Sequence, residues 1–520
     1  MNDTADRIAA NAGWNVLGLG VTALITFLLT PVLLHGLGSA RFGIWALIRV
    51  VSAYVGLADL GLPRAVVKAV AERRAAGDVS GLLAVANTAG ALYLLTAGVT
   101  ATGLLLARSW VLTSLLRVPA PFWAEAAAAY TWAVVAFELT LLAGFLAAVL
   151  EGLQCMVVTN AALSAGRIAF VVGALLAVTR GGGLSGIAFS AVLGAALQLT
   201  INTVLLHRLL PQLRWQPTLV QRTEARWMLK FGVQLFLINL VAILFIPLSK
   251  LLLAAYGSLT GVAAYEVAAS ISQQLFLFFW AWAAALYPAA AAAQAAGNRE
   301  RVAMLYRRGL RYFLLAGVPL ASGMVLFARP FVALWLGPGH EQIAWALGWL
   351  AAAWGVVILA LPVSAFSQAL GRPWLALMAS ASNGVINLVL ASLLAALLGF
   401  PGVVLGNVVA MIGSSLLMLW LFQRSFRPDR QRILETLPWQ TALVVLLFSV
   451  LVYPFLARAD LAHPLRLALA GASWLLVVIG LTGGFTSWRP EERRWLWRRL
   501  PAGLSQSFAF LAPGQGSKTG

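Results

Sequence analysis

The sequence predicts an all-α polytopic membrane protein of about fourteen transmembrane helices, two parallel six-helix lobes followed by a helix pair. Three observations carry that expectation: apolar runs of membrane-spanning length, basic residues gathered in alternate connecting loops, and a glycine-marked internal repeat. Of the 520 residues, 61% are hydrophobic and 10% charged, whereas a soluble domain carries about 25% charged residues. The apolar residues come in runs of about 20, the length that crosses a hydrocarbon core of about 30 Å.

In order, the spans fall at residues 14–34, 42–62, 81–107, 124–150, 161–179, 185–206, 231–253, 260–286, 312–328, 342–368, 374–398, 401–423, 439–457 and 466–487. No small-residue cleavage site follows the first run, so that span is expected to be retained rather than removed as a signal peptide. After the last span, Trp495 and Trp497 lie among arginines, which reads as a basic interfacial helix on the inner leaflet with a disordered tail behind it. No connecting segment is long enough to hold a soluble catalytic or nucleotide-binding domain.

The net charge of +19 does not mark a nucleic-acid binder, because the basic residues are not gathered into a patch. Twenty-six of the 36 Lys and Arg residues fall on the side of the N-terminus, seven on the opposite side, and three (Arg49, Arg167 and Lys250) inside spans. Positive residues resist translocation, so this asymmetry places both termini in the cytoplasm. A span miscounted anywhere would scramble the alternation downstream of it.

The two halves share spaced landmarks. Gly38-Ser39 returns as Gly257-Ser258, Gly77-Asp78 as Gly297-Asn298, and Gly152 as Gly371, at separations of 219, 220 and 219 residues. An even number of spans lies between equivalent points, so the copies have the same orientation and are related by an axis along the membrane normal, with a binding site expected between them. The expected organisation is a first lobe at 1–210, a second at 211–425, an appended helix pair at 426–488 and a basic tail at 489–520.

Residues three or four apart share a helix face, and several spans carry polar stripes at that spacing. Span one has Asn11, Asn15, Gly18, Thr22 and Thr26; span two has Arg49, Ser52, Gly56 and Asp59. Span eight has Glu266, Ser270, Gln273 and Gln274; span five has Asn160, Ser164 and Arg167; span eleven has Ser380, Asn383 and Asn387. Uncharged stripes of this kind also serve as packing faces. A charge near a helix centre, however, costs about 3 kcal/mol or more and faces water or a partner. The cavity candidates are therefore Arg49, Ser52, Asn15, Arg167, Lys250, Glu266, Gln273 and Asn383, with Asp59, Glu138 and Glu266 as candidates for a coupling ion. For some of these a structural reading stands beside the functional one. Asp59 can pair with Arg64, Glu138 with Arg167, Arg49 with Glu266 or Asp59, and Lys250 can snorkel to the outer surface.

Enzyme chemistry has no foothold. The four histidines, His35, His207, His340 and His463, sit in predicted loops without ligand spacing, and no P-loop, HExxH or G-x-S-x-G motif occurs. A single cysteine, Cys155, excludes an internal disulfide. No catalytic residue, metal or cofactor is expected.

A resemblance joins these observations at Leu29-Thr30-Pro31-Val32-Leu33-Leu34 with Leu37-Gly38, at Phe42-Gly43-Ile44-Trp45, and at Ala58-Asp59-Leu60-Gly61-Leu62. It continues through Ala65-Val66-Val67-Lys68, Gly77-Asp78, Leu150-Glu151-Gly152-Leu153-Gln154, Ala369-Leu370-Gly371-Arg372-Pro373, Asn387-Leu388-Val389-Leu390 and Gly399-Phe400-Pro401-Gly402. Over residues 8 to 425 the chain resembles Wzx-type O-antigen and polysaccharide flippases of the multidrug/oligosaccharidyl-lipid/polysaccharide (MOP) exporter superfamily. The resemblance implies a MATE/MOP-like two-lobe fold that alternates between inward- and outward-open states in the bacterial inner membrane. It implies an oligosaccharide on a polyprenyl pyrophosphate lipid as cargo, membrane lipids around it, and a polysaccharide polymerase or export complex as a further partner. It also implies a cationic cavity for the diphosphate, to which Arg49 is best suited because a guanidinium meets phosphate oxygens with two prongs. The alternative reading is an ion-coupled multidrug antiporter on the same scaffold, which would favour buried carboxylates in an apolar pocket.

The topology is testable directly. A cysteine placed at Ser39 should be labelled from outside intact cells and one at Gly77 should not; labelling of both from one side contradicts the two-span start and the repeat built on it.

Overall fold

The computed structural model describes residues 20, 24–55, 59, 61–245, 248–372, 374–426, 439–458 and 463–484. Among these residues every regular element is helical. In chain order the helices are α1 (Leu24–Leu37), α2 (Ser39–Val55), α3 (Leu62–Ala75), α4 (Val79–Leu106), α5 (Trp123–Gly152), α6 (Met156–Thr179), α7 (Gly183–Leu209) and α8 (Arg222–Phe245). They continue as α9 (Leu248–Tyr256), α10 (Leu259–Ala295), α11 (Arg299–Leu336), α12 (Glu341–Ala369), α13 (Trp374–Leu398), α14 (Phe400–Phe426), α15 (Trp439–Arg458) and α16 (Pro464–Gly484). Nine of the described helices, α4 to α7 and α10 to α14, are long and apolar enough to cross a membrane, and α1, α15 and α16 supply shorter apolar stretches. The chain is a multi-pass membrane protein.

The structure refines the sequence-based spans where charge and helix diverge. The segment after span two forms α3, whose Leu62, Ala65, Val66, Ala69 and Val70 are buried while its basic residues line the other face. Span seven is described as α8 and α9, with residues 246 and 247 outside the described residues. The Arg-rich stretch 299–311 continues as the first turns of α11, because Arg, Ala and Leu favour a helix whether or not it lies in lipid. The residues expected to form the basic interfacial helix at 489–520 and the first stripe residues Asn11, Asn15, Gly18 and Thr22 lie outside the described residues.

The repeat is written into the local geometry. Gly77 and Gly297 both adopt left-handed backbone, φ 67° and 66°. Each ends a helix and is followed by an N-cap whose side chain accepts an amide: Asp78 from Gly81 at 2.8 Å, and Asn298 from Arg301 at 2.9 Å. The surrounding backbone bonds match one for one, Asp78 to Arg73 and Val79 to Gly77 against Asn298 to Ala293 and Arg299 to Gly297. The third glycine pairing shifts by two residues. The left-handed residue after α5 is Gln154 (φ 60°), which corresponds to Gly371 (φ 72°) after α12, each followed by an amide that bonds back into the helix. Gly152 serves packing instead. A Cβ there would come within 2.7 Å of Val70, so its small size lets α3 lie against α5.

The chain divides into two compact units, Met1–Ser270 with Ser380–Asn407, and Ile271–Ala379 with Val408–Gly520. The first is built on a core from α3, α4, α5 and the start of α8, including Val66, Val70, Tyr93, Val149 and Met228. At one end Arg73 bridges Asp78 at 2.8 Å and Glu224 at 2.6 Å, tying α3, the cap of α4 and the first turn of α8 together. The Gly81 amide, the Ser80 hydroxyl and Arg73 hold the Asp78 carboxyl below the usual carboxylate range. This clasp is therefore complete at neutral pH and is lost as the pH falls through the lowered value. In the second unit an aromatic cluster of Tyr306, Phe366 and Phe422 seals α11, α12 and α14. There α15 and α16 pack on α11 through Leu326, Val445, Trp474 and Val478.

Helix pairs approach most closely at glycines. A Cβ on Gly166 would come within 2.7 Å of the Gly194 carbonyl, and one on Gly194 within 2.6 Å of the Gly166 carbonyl, so α6 and α7 touch backbone to backbone. The pair α13 and α14 does the same, Gly402 against the Leu394 carbonyl and Gly406 against Ala391. Gly166→Val should therefore destabilise the purified protein by about 2 kcal/mol through overpacking. Gly144→Val, at a position where a Cβ meets nothing within 4 Å, should cost far less. Equal loss of thermal stability in detergent for both variants would contradict the close α6–α7 contact.

Candidate functional site

Within the first unit, α2 and the start of α10 run side by side in the same direction. The contact is set at Gly43, where any Cβ would fall 2.1 Å from the Leu259 carbonyl, so only glycine allows it. Two turns further along, the same register brings Arg49 of α2 to Glu266 of α10, with Arg49 Nη1 3.4 Å from Glu266 Oε1. The second carboxylate oxygen, Oε2, pairs with Lys250 Nζ of α9. One carboxylate thus holds two cations, and the three side chains differ sharply in exposure: Glu266 12%, Lys250 21% and Arg49 60%.

The electrostatics follow from those exposures. A buried carboxylate needs a compensating charge close by, because removing it from water costs several kcal/mol. Lys250, the better buried of the two cations and the closer in contact, meets that need. Arg49 makes a single long contact and remains mostly open, so the cluster carries a net positive charge on its exposed side. Arg117, in the segment between α4 and α5, donates from Nη1 to the Ala255 carbonyl at 2.7 Å and holds the end of α9 that follows Lys250.

Neutral polar groups surround the charged ones. Asn387 Nδ2 donates to Ser249 Oγ at 3.3 Å, and Asn407 Nδ2 donates to the Tyr265 hydroxyl at 2.8 Å. Asn387 opens a π-helical turn, Asn387–Ala391, inside α13. Such turns carry one extra residue and redirect side chains. The glycine contact between α13 and α14 brings Asn407 within the same unit. Amide and hydroxyl groups of this kind can both donate to and accept from a hydroxyl-rich ligand.

The expected site residues are distributed unevenly over the structure. Arg49, Lys250 and Glu266 meet. Asn383 lies one turn before Asn387 on α13. Ser52 lines a small cavity with Ile48, Val51, Leu104, Tyr130, Ala133, Val134 and Phe137. Arg167 is partly buried on α6, and Gln273 is exposed on α10 in the second unit. Asn15 is outside the described residues. Asp59 Oδ1 accepts the Gly61 amide at 2.9 Å and shapes the turn into α3. Glu138 bonds the Thr100 hydroxyl at 2.8 Å. Lys250 is engaged with Glu266 instead of reaching out to the surface. Ser249, Asn407 and Thr100 carry no sequence signal: each is a lone polar residue whose partner lies far along the chain, so no spacing announces it.

Two family models match the chain, "Polysaccharide biosynthesis protein" over residues 8–294 and "MatE" over residues 234–393. No curated protein matches it significantly by sequence. Among solved structures, the lipid II flippase MurJ in an inward closed conformation is similar with a TM-score of 0.72 and 12% identity, covering 92% of this chain and 98% of that one. An inward-facing multidrug resistance MATE family transporter of the MOP superfamily gives 0.70 and 18%, covering 78% and 94%. The Vibrio cholerae MATE transporter VcmN in its bent form gives 0.54 and 17%, covering 81% and 98%. At these identities the likeness shows the fold, which is like that of MurJ and the MATE transporters. Since the first family model spans more than half of its length, the chain belongs to the polysaccharide biosynthesis protein family.

Proposed function

We propose that the protein is a flippase that turns a polyprenyl-pyrophosphate-linked oligosaccharide across the bacterial inner membrane by alternating access. It is a transporter rather than an enzyme. Residues 1–210 and 211–425 act as its two lobes, 426–488 as an appended pair, and both termini lie in the cytoplasm. The observation that carries this reading is the Arg49–Glu266–Lys250 cluster. Its buried part is neutralised, while its exposed part is a guanidinium with a single long protein contact among the described residues. A guanidinium in that position suits two phosphate oxygens at once.

Physical requirements of the cargo point the same way. A sugar chain cannot enter hydrocarbon, so its head needs a polar path, and the Asn387–Ser249 and Asn407–Tyr265 pairs place polar groups on the helices that carry the cluster and on α13 and α14. The polyprenyl tail can stay among membrane lipids. A polysaccharide polymerase or export complex would then receive the turned unit. A cationic drug is a poorer fit, because the one buried carboxylate of the cluster already has two cations.

Arg49→Ala should abolish glycan export without lowering membrane abundance, because Glu266 keeps Lys250. Arg49→Lys should keep part of the activity, since charge survives while the planar fork is lost. Lys250→Ala should instead destabilise the protein by about 3 kcal/mol, as it leaves a buried carboxylate with one distant cation. Adding Glu266→Gln to that variant should restore abundance. Export and abundance measured together separate these cases, and full export by Arg49→Ala at normal abundance removes Arg49 from the mechanism.

A further inference from the structure

Glu138 sits in the middle of α5, away from the charged cluster, among groups that favour its neutral form. Thr100 Oγ1 of α4 lies 2.8 Å from Glu138 Oε1, 2.8 Å from the Thr96 carbonyl one turn back along its own helix, and 3.2 Å from the Ala97 carbonyl. A hydroxyl has one hydrogen. If Glu138 were ionised, every neighbour of Thr100 would be an acceptor and all would have to share that one hydrogen. The two shorter contacts are both satisfied when Thr100 donates to Thr96 and Glu138 donates to Thr100. The other carboxyl oxygen, Oε2, is buried and bonds no protein group among the described residues, which suits the carbonyl oxygen of a neutral acid far better than half of a carboxylate.

Among the described residues no charge nearby offsets an ionised Glu138. On its own helix, Glu125 is held by Arg41 of α2 at 2.7 Å, and the Tyr130 hydroxyl donates to the Leu104 carbonyl at 3.2 Å. Glu151 lies at the far end of α5. On the helices packed against α5, Arg49 is engaged with Glu266, and Arg108, following α4, reaches Thr131, two turns from Glu138. Tyr93 of α4 is packed against Phe145. Arg64, Lys68, Glu72, Arg73 and Arg74 lie on α3, and His207 and Arg208 close the last turn of α7. Arg167 of α6 has contacts of its own. Among the described residues Glu138 forms no ion pair with any of them, and its one bond is to Thr100.

We infer that Glu138 is a proton-binding site: in this conformation its carboxyl group carries a proton and donates it to Thr100, and the gain and loss of that proton couple to transport. The coupling half rests on the transport reading above, whereas the protonation half does not. Release breaks the O–H bond, leaves Glu138 a carboxylate and passes one proton to water; uptake reverses the step. The small cavity beside Phe137, which Ser52 also lines, adjoins the helix turn that carries Glu138. Helix motion that widened it would bring water toward the carboxyl.

Two measurements decide the matter. Glu138→Gln is the variant of choice, since its amide N–H can donate to Thr100 as the acid does and the fold is kept. Infrared spectra of the purified protein at neutral pH should contain the carbonyl stretch of a protonated carboxyl group that is sensitive to heavy water and is lost in Glu138→Gln. In Thr100→Val that band should persist but move, because its hydrogen-bond acceptor is gone. If no such band separates wild type from Glu138→Gln, or if it appears only in acid, the site does not exist. In proteoliposomes loaded with a polyprenyl-pyrophosphate-linked oligosaccharide, transport should respond to an imposed pH gradient in wild type and lose that response in Glu138→Gln. A wild-type rate indifferent to the gradient, or a variant that responds as wild type does, overturns the coupling. If wild type moves no glycan at all, the transport reading falls, and the infrared result still decides whether Glu138 holds a proton.

Discussion

A carboxylate removed from water must have a cation against it, and in this protein that constraint fixes where three helices meet. Glu266 is almost buried, and it is held by Lys250 and Arg49. Because those cations stand on α9 and α2, neutralising one carboxylate ties a helix of the first sequence repeat to two helices of the second. The ion pair alone could not set that geometry, since an ion pair tolerates wide variation in angle. Gly43 supplies the register by letting α2 lie on the Leu259 carbonyl, which leaves Arg49 and Glu266 at the same height. Charge makes the contact necessary, and a missing side chain makes it possible.

The same division of labour recurs through the fold. Without a hydrophobic driving force between helices in lipid, close packing has to do the work of association. Glycine contacts at α6–α7 and α13–α14 perform it in equivalent pairs of the two repeats. Polar groups then settle into the interfaces that glycines open, Asn387 with Ser249 and Asn407 with Tyr265. In the reading proposed above, attraction for an anion comes from Arg49, the more exposed of the two cations that share Glu266. That is why Arg49, although it shares a partner with Lys250, has a different expected role: one holds the protein together and the other is left to the ligand.

The fold was legible because membrane proteins are written in strong signals. Twenty apolar residues have few alternatives to a helix in lipid, and loop turns such as Gly77-Asp78 demand left-handed backbone followed by a cap, so both copies kept the same residue types. The third landmark misled by two positions, since Gly152 is small for packing against Val70 while Gln154 makes the turn; sequence cannot tell those two uses of a small residue apart. The helix α3 went unseen because its charged face reads as loop when counted without its buried face. Of the site, the charged members were visible, for an Arg, Lys or Glu inside a span is conspicuous. Their pairing was one of several that spacing allowed, and the partners of Glu138 and Tyr265 were not visible at all, as a threonine or asparagine in a span carries no mark of what it will face.

The central claim is that the cluster recognises a diphosphate-linked lipid through the exposed guanidinium of Arg49. Binding of a polyprenyl-pyrophosphate-linked oligosaccharide to the purified protein, read by native mass spectrometry beside the same lipid bearing no phosphate and beside an organic cation, tests it most directly. The diphosphate lipid should bind in preference to both, its binding should weaken with salt, and the preference should be lost in Arg49→Ala while the protein remains folded. Preferential binding of the organic cation, or a diphosphate preference that Arg49→Ala leaves intact, would contradict it.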